Sequence, residues 1–162
     1  MLTTTDQLLL CAFIFSIGLG IGGGFYETRV VYPNWSVNPI PSELGKKLVS
    51  SGQTGAARRF WPFISPVSAL LAIINACIAW HQVGLVRNLW LAAAVSIILK
   101  SVGTYGYFVP TFIRRIAQPE SMEVSTLRNV VRTWTALSPL RIWIELFAWT
   151  TGMWTLLIAS KS

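Results

Sequence analysis

The 162-residue chain is 53% hydrophobic and only 12% charged, with a mean hydropathy of +0.56 and a formal net charge of +7. That balance argues against an ordinary water-soluble domain. Four apolar runs of about 20 residues each match a hydrocarbon layer ~30 Å thick and leave no room for a separate soluble unit. The expected architecture is all-α: one integral-membrane four-helix bundle over residues 1–162, with a long first loop and a surface helix before the fourth span.

The first run, about 7–31, predicts a helix from Asp6 to Val31 that ends before Pro33. Its leading MLTTTDQ has no basic residue, and no small-residue cleavage site follows cleanly. It is therefore expected to be retained rather than removed as a signal peptide, with Met1 as the mature first residue. Its middle reads SIGLGIGGG, with Gly18 and Gly22 four apart, as are Gly20 and Gly24. Such spacing lets another helix approach closely. The face is read as a packing groove, as room for a ligand, or as a route to a homo-oligomer.

Loop 1, from about Tyr32 to Pro62, is polar and turn-rich. Within it SELGKKLVSSGQ predicts a short interfacial helix capped by Ser42. The second span, about 63–83, follows Pro62 and Pro66, residues suited to helix starts. Asn75 is expected to make an interhelical hydrogen bond. Cys11 and Cys77 have similar depths and read as buried small residues, a disulfide being geometrically conceivable. The single histidine, His81, falls at the outer end of this span and reads as solvated. One histidine excludes bis-His haem ligation within the chain, and no zinc-ligand spacing occurs. No metal or cofactor is expected.

The short HQVGLVRN turn makes the second span an antiparallel neighbour of the third, about 88–109, which is expected to stop at Pro110. Loop 3 predicts an amphipathic surface helix near 121–134, continuing or bending into the fourth span, about 137–158, at Pro139.

The basic residues are unevenly shared. Loop 1 carries Arg29, Lys46, Lys47, Arg58 and Arg59. Loop 3 carries Arg114, Arg115, Arg128 and Arg132, with Arg141 just beyond; the opposite side has Arg87 and Lys161. This pattern places both long loops in the cytoplasm and both termini outside a cell membrane. The excess charge is thus topological, with attraction to anionic membrane lipids, and nucleic acid is not an expected partner. Trp61 and Trp134 are expected at one interface, and Trp80, Trp90 and Trp154 at the other.

Two charges fall inside apolar runs. Lys100 lies nine residues before Val109, roughly 13 Å deep at 1.5 Å per residue, and Glu145 is about 12 Å deep by the same rise. Opposite charges at one depth on different helices predict a pair facing the bundle interior. That pair reads either as structural or as a proton-transfer carboxylate, Glu145, tuned by Lys100. Arg141, Glu145 and Trp149 are four apart and share one face. Glu27, Arg29, Arg141 and Glu145 are expected to form a charged network opening to the cytoplasm, with Tyr26, Trp35, Tyr105, Tyr107 and Trp149 as aromatic walls. An apolar pocket with a few convergent polar groups is the usual form of a small-molecule site.

The segments GGGFYETRVVYPNWSVNPIPSEL, YGYFVPTFIRRI and NVVRTWTALSPLRIWIELFAW, in that order, resemble a family of small four-helix membrane proteins related to fungal anthrone oxygenases. The carriers are Tyr26, Glu27, Pro33, Trp35, Val109, Pro110, Trp134, Arg141 and Glu145. One departure is Thr28, where relatives of this pattern carry His. The resemblance implies a membrane-embedded bundle and, for the anthrone branch, oxygenation of an aromatic polyketide without metal or flavin.

Two function classes follow. One is a pocket protein for a lipophilic aromatic or quinone-like molecule. In it Glu27 or Glu145 would be the base, and Arg141 or Lys100 would stabilise an oxyanion. The other is a non-enzymatic subunit, scaffold or small proton-coupled transporter.

Overall fold

A computed structural model describes residues 2–36, 41–50 and 52–160; Met1 and Lys161, named above, lie outside them. Helix α1 spans Thr4–Tyr26, continues as a π-helical turn over Glu27–Val31, and is followed by the short α2, Pro33–Ser36. Thr3 and Asp6 cap its start reciprocally, backbone N–H to side chain, at 3.0 and 3.1 Å. The loop helix α3 covers Pro41–Ser50, and α4 covers Gln53–Trp80. Helix α5, Gly84–Gly103, runs through a π turn (Thr104–Phe108), the short α6 (Val109–Thr111) and a second π turn (Phe112–Ile116). Helix α7 is continuous over Val124–Ala159.

Among the described residues, four helical stretches are long and apolar enough to cross a membrane: Thr4–Trp35, Arg59–Trp80, Gly84–Ile116 and Val124–Ala159. The described residues are helical or in short connections, without strands. Helix α1 packs on α4 and α7, and α5 packs on the same two, so α1 and α5 face each other across the bundle.

Several helix ends differ from the sequence reading, and proline accounts for most of them. The first and third helices do not stop at Pro33 and Pro110. In each case a π turn ends two residues before the proline. A proline ring clashes with the carbonyl one turn back, and a widened turn relieves that clash without ending the rod. Pro62 and Pro66 lie inside α4 rather than at its start, while Pro139 lies inside α7. Ser42 falls within the first turn of α3 rather than capping it. Of the two alternatives at Pro139, continuing or bending, the first holds: the surface helix of loop 3 and the fourth span are one helix.

The interior divides into two apolar clusters. One, towards the chain termini, is built on Leu10, Phe13, Ile17, Ala72, Trp90 and Ile97. The other, at the loop end, gathers Tyr32, Trp35, Leu44, Ile116, Leu127 and Trp134. Asn75 ties three helices in the first cluster. Its amide donates to Leu9 O (3.3 Å) and Leu71 O (2.8 Å) and accepts from Trp90 Nε1 (2.9 Å). Trp90 is therefore a core residue, not part of an interfacial belt, while Trp80 and Trp154 are exposed. Cys11 and Cys77 are free and exposed, contrary to the expectation of buried thiols.

The small-residue stripe works within the chain. A Cβ at Gly20 would lie 2.7 Å from Glu145 Oε1, and one at Gly24 would lie 3.0 Å from Ile142 Cγ1. In the other direction, a Cβ at Gly152 of α7 would lie 3.1 Å from Ile14 Cγ1. Only Gly22 of the four faces open space, so the Gly18–Gly24 face is largely occupied by α7 of the same chain.

Candidate functional site

Between the two apolar clusters lies a layer of ionisable groups. Lys100 Nζ donates to Glu145 Oε1 at 2.8 Å, and the residues are 8% and 4% exposed. The pairing read from depth is therefore present. Gly20 makes room for the carboxylate, which a side chain there would strike. Thr104 and Ser138 line the same small space but spend their hydroxyls on the backbone of Lys100 and Trp134.

Glu27 is held differently. Its Oε2 accepts from the Tyr32 hydroxyl at 2.6 Å, and its Oε1 accepts from Trp61 Nε1 at 2.5 Å. Tyr32 stands five residues on, a spacing that the π turn brings onto the face of Glu27. The expected alternating network of four charges does not form. Arg29 is exposed, and Arg141 makes no ion pair among the described residues. Helix geometry explains this: the carboxylates on either side of Arg141 are already engaged, one by Lys100 and one by two neutral donors.

Arg141 instead sits among rings. Its guanidinium carbon is 4.0 Å from the Phe108 ring centroid, 5.9 Å from that of Trp134 and 6.0 Å from that of Trp61. Such stacking stabilises a cation where water is scarce. Its Nε is buried without a hydrogen-bond acceptor, and so is Trp134 Nε1. The latter lies close to the Tyr32 hydroxyl but outside hydrogen-bond geometry.

Glu27 and Arg141 both line a cavity of about 580 Å³ at the loop end of the bundle. Its volume falls in the range of small-molecule pockets. The inner wall is Tyr32, Trp61, Phe108, Phe112 and Trp134. Pro62, Pro66, Tyr105, Val109 and Ile113 also line it and are exposed on the outer surface, as is Gln118 towards the loops. The mouth thus lies between α4 and the continuation of α5. All three π turns contribute lining residues: Glu27 from the first, Tyr105 and Phe108 from the second, Phe112 and Ile113 from the third. Widened turns of this kind concentrate at functional sites because they re-aim side chains.

Of the expected aromatic walls, Tyr105 lines the cavity and the others do not. Tyr26 points outwards and is 57% exposed. Trp35 is buried in the loop-end cluster against Tyr32, with ring centroids 4.9 Å apart. Tyr107 is partly exposed and meets Phe108 edge-on at 5.2 Å. Trp149 lines a separate outer cleft of about 330 Å³ with Cys11 and Gly18, near the other end. Two tryptophans read as belt residues, Trp61 and Trp134, are the cavity's own walls. The four-residue spacing of Phe108 and Phe112 was a signal for a shared face; the role of Tyr32 had none at helical spacing.

No family model, curated protein or solved structure matches the chain.

Proposed function

We propose that the chain is a multi-pass membrane protein that binds a lipophilic aromatic or quinone-like small molecule in the loop-end cavity. One observation carries this reading. A cavity of about 580 Å³ brings an unpaired guanidinium and a carboxylate to a wall of aromatic rings. Membrane insertion is supported by the outer surface, where Leu8, Phe15, Phe63 and Trp143 are each more than half exposed. Orientation follows from charge. Arg29, Lys46, Arg59, Arg114, Arg115, Arg128 and Arg132 are exposed at the loop end, which is assigned to the cytoplasmic side.

The chemistry this arrangement supports is proton abstraction beside a carbonyl. Each Glu27 oxygen accepts one bond and keeps further lone-pair capacity, so the carboxylate can take the proton. Arg141 would stabilise the resulting oxyanion. Dioxygen adding to such a carbanion gives, once a proton is returned, a hydroperoxide, which loses water to leave a ketone. In balance, one methylene group and one dioxygen become one carbonyl group and one water. The resemblance to anthrone oxygenases points the same way. Glu145 is assigned a structural part, because Lys100 holds it and the space beside it is only about 20 Å³. Neither Lys100, Glu145 nor any residue of the terminal cluster lines the cavity, which favours a pocket confined to the loop end over a transport path.

Protein purified in native lipid tests the proposal. Organic extraction and mass spectrometry should recover an aromatic or quinone-type compound at near-stoichiometric yield from the wild type. The Arg141→Met variant, if folded, should carry much less. Equal recovery from both, or recovery of bulk phospholipid alone, would remove the cavity from consideration.

A further inference from the structure

We infer that the cavity selects a neutral head bearing acceptor oxygens, the oxidised form of a quinone over its hydroquinone, and admits it sideways between α4 and the continuation of α5. The inference rests on the small-molecule reading above and adds the ligand's charge, its hydrogen-bonding polarity and its route.

Polarity comes from what is left unsatisfied. The buried cavity-lining atoms without a hydrogen-bond partner, among the described residues, are both donors: Arg141 Nε and Trp134 Nε1. The one carboxylate in the wall, Glu27, already accepts one bond on each oxygen, so a ligand hydroxyl would share it with Tyr32 and Trp61. A buried donor without an acceptor is costly, so an occupant that brings carbonyl oxygens repays more than one that brings hydroxyl hydrogens. A quinone head offers only acceptors. Its two-electron-reduced form keeps weaker acceptor oxygens but adds a hydroxyl hydrogen to each, and each of those must find an acceptor beside Glu27.

Charge comes from the sum over the layer. Lys100 and Glu145 cancel, and Glu27 and Arg141 cancel without touching. The formal total is zero, so a carboxylate head would leave one uncompensated negative charge in a buried layer, at a high desolvation cost. An uncharged head leaves the balance intact.

The route comes from the mouth. Pro62 and Pro66 on one side and Tyr105, Val109 and Ile113 on the other are exposed and apolar or aromatic, and they open onto an outer surface that is itself apolar. A tail can remain outside the bundle while the head reaches Arg141.

The test uses the full chain in lipid nanodiscs under nitrogen. A tritiated short-tailed benzoquinone is displaced by its unlabelled form, by the matching hydroquinone and by a fatty acid of similar length. The quinone is expected to compete at least about tenfold better than either, the worth of one buried donor regaining its acceptor. Trp134→Phe keeps an aromatic, if smaller, ring in the wall and removes the N–H, and should shrink the quinone–hydroquinone ratio; Arg141→Met should shrink it further. Val109→Trp should slow association and release of the quinone by about tenfold with little change at equilibrium. Hydroquinone or fatty acid binding as well as the quinone overturns the selectivity while leaving a pocket protein in place. Unchanged rates in Val109→Trp overturn the sideways route and point to the Gln118 end. No saturable binding of any of the three compounds overturns the inference and the quinone-like part of the proposed function together.

Discussion

Lys100 and Glu145, 45 residues apart in sequence, meet at 2.8 Å between α5 and α7 in a space opened by the absence of a side chain at Gly20. The ion pair, the glycine and three helices thus form one packing unit. Its worth lies less in attraction between the charges than in what happens when one is left alone.

Single substitutions that strand one charge, Lys100→Met or Glu145→Leu, are expected to cost about 3–5 kcal/mol. The double variant Lys100→Met/Glu145→Leu should recover most of that loss, since it buries no charge. Thermal unfolding in detergent would check this. A double variant as unstable as the sum of the singles would mean that the pair itself, not the stranded charge, carries the stability.

Glycine substitutions along α1 should differ in sign. Gly20→Ala must displace a carboxylate pinned by Lys100, and Gly24→Ala presses on Ile142; each is expected to destabilise by ~1–3 kcal/mol. Gly22→Ala meets nothing and should stabilise by up to about 1 kcal/mol through reduced freedom of the unfolded chain. If Gly22→Ala were instead the damaging change, an intermolecular contact on that face would be indicated.

The two donors on Glu27 make it intolerant of an amide. Glu27→Gln turns an amide N–H towards one of them and is expected to cost about 2 kcal/mol. Trp61→Phe removes one donor, so Glu27→Gln in a Trp61→Phe background should cost clearly less. A double-mutant cycle by thermal shift, with additive effects as the adverse result, decides whether the bond at 2.5 Å matters.

Asn75 is the polar joint of the terminal half. Asn75→Leu leaves Trp90 Nε1 without an acceptor in a fully buried site and should cost about 1–3 kcal/mol. Combining it with Trp90→Phe removes both partners and should fall below the sum of the singles. Hydrogen exchange at the start of α5 would report the same loosening locally.

Much of this could be read from sequence because depth along a helix is one-dimensional. A rise of about 1.5 Å per residue placed Lys100 and Glu145 in one layer, and loop lengths made α4 and α5 neighbours. Apolar length alone marked four spans, and an amide in an apolar run, Asn75, had to find an interhelical partner. Rotation about the helix axis was another matter. A spacing argument assumes about 3.6 residues per turn throughout, and π turns break that assumption within the segments that line the cavity. They bring Tyr32 to Glu27 and carry the third helix past Pro110. The sequence could say that Arg141 lies near the loop end. Only the packing of four helices decided that both nearby carboxylates find other partners, leaving the guanidinium among three rings at the edge of a cavity, because each carboxylate is engaged by whichever donors its neighbours' rotation presents.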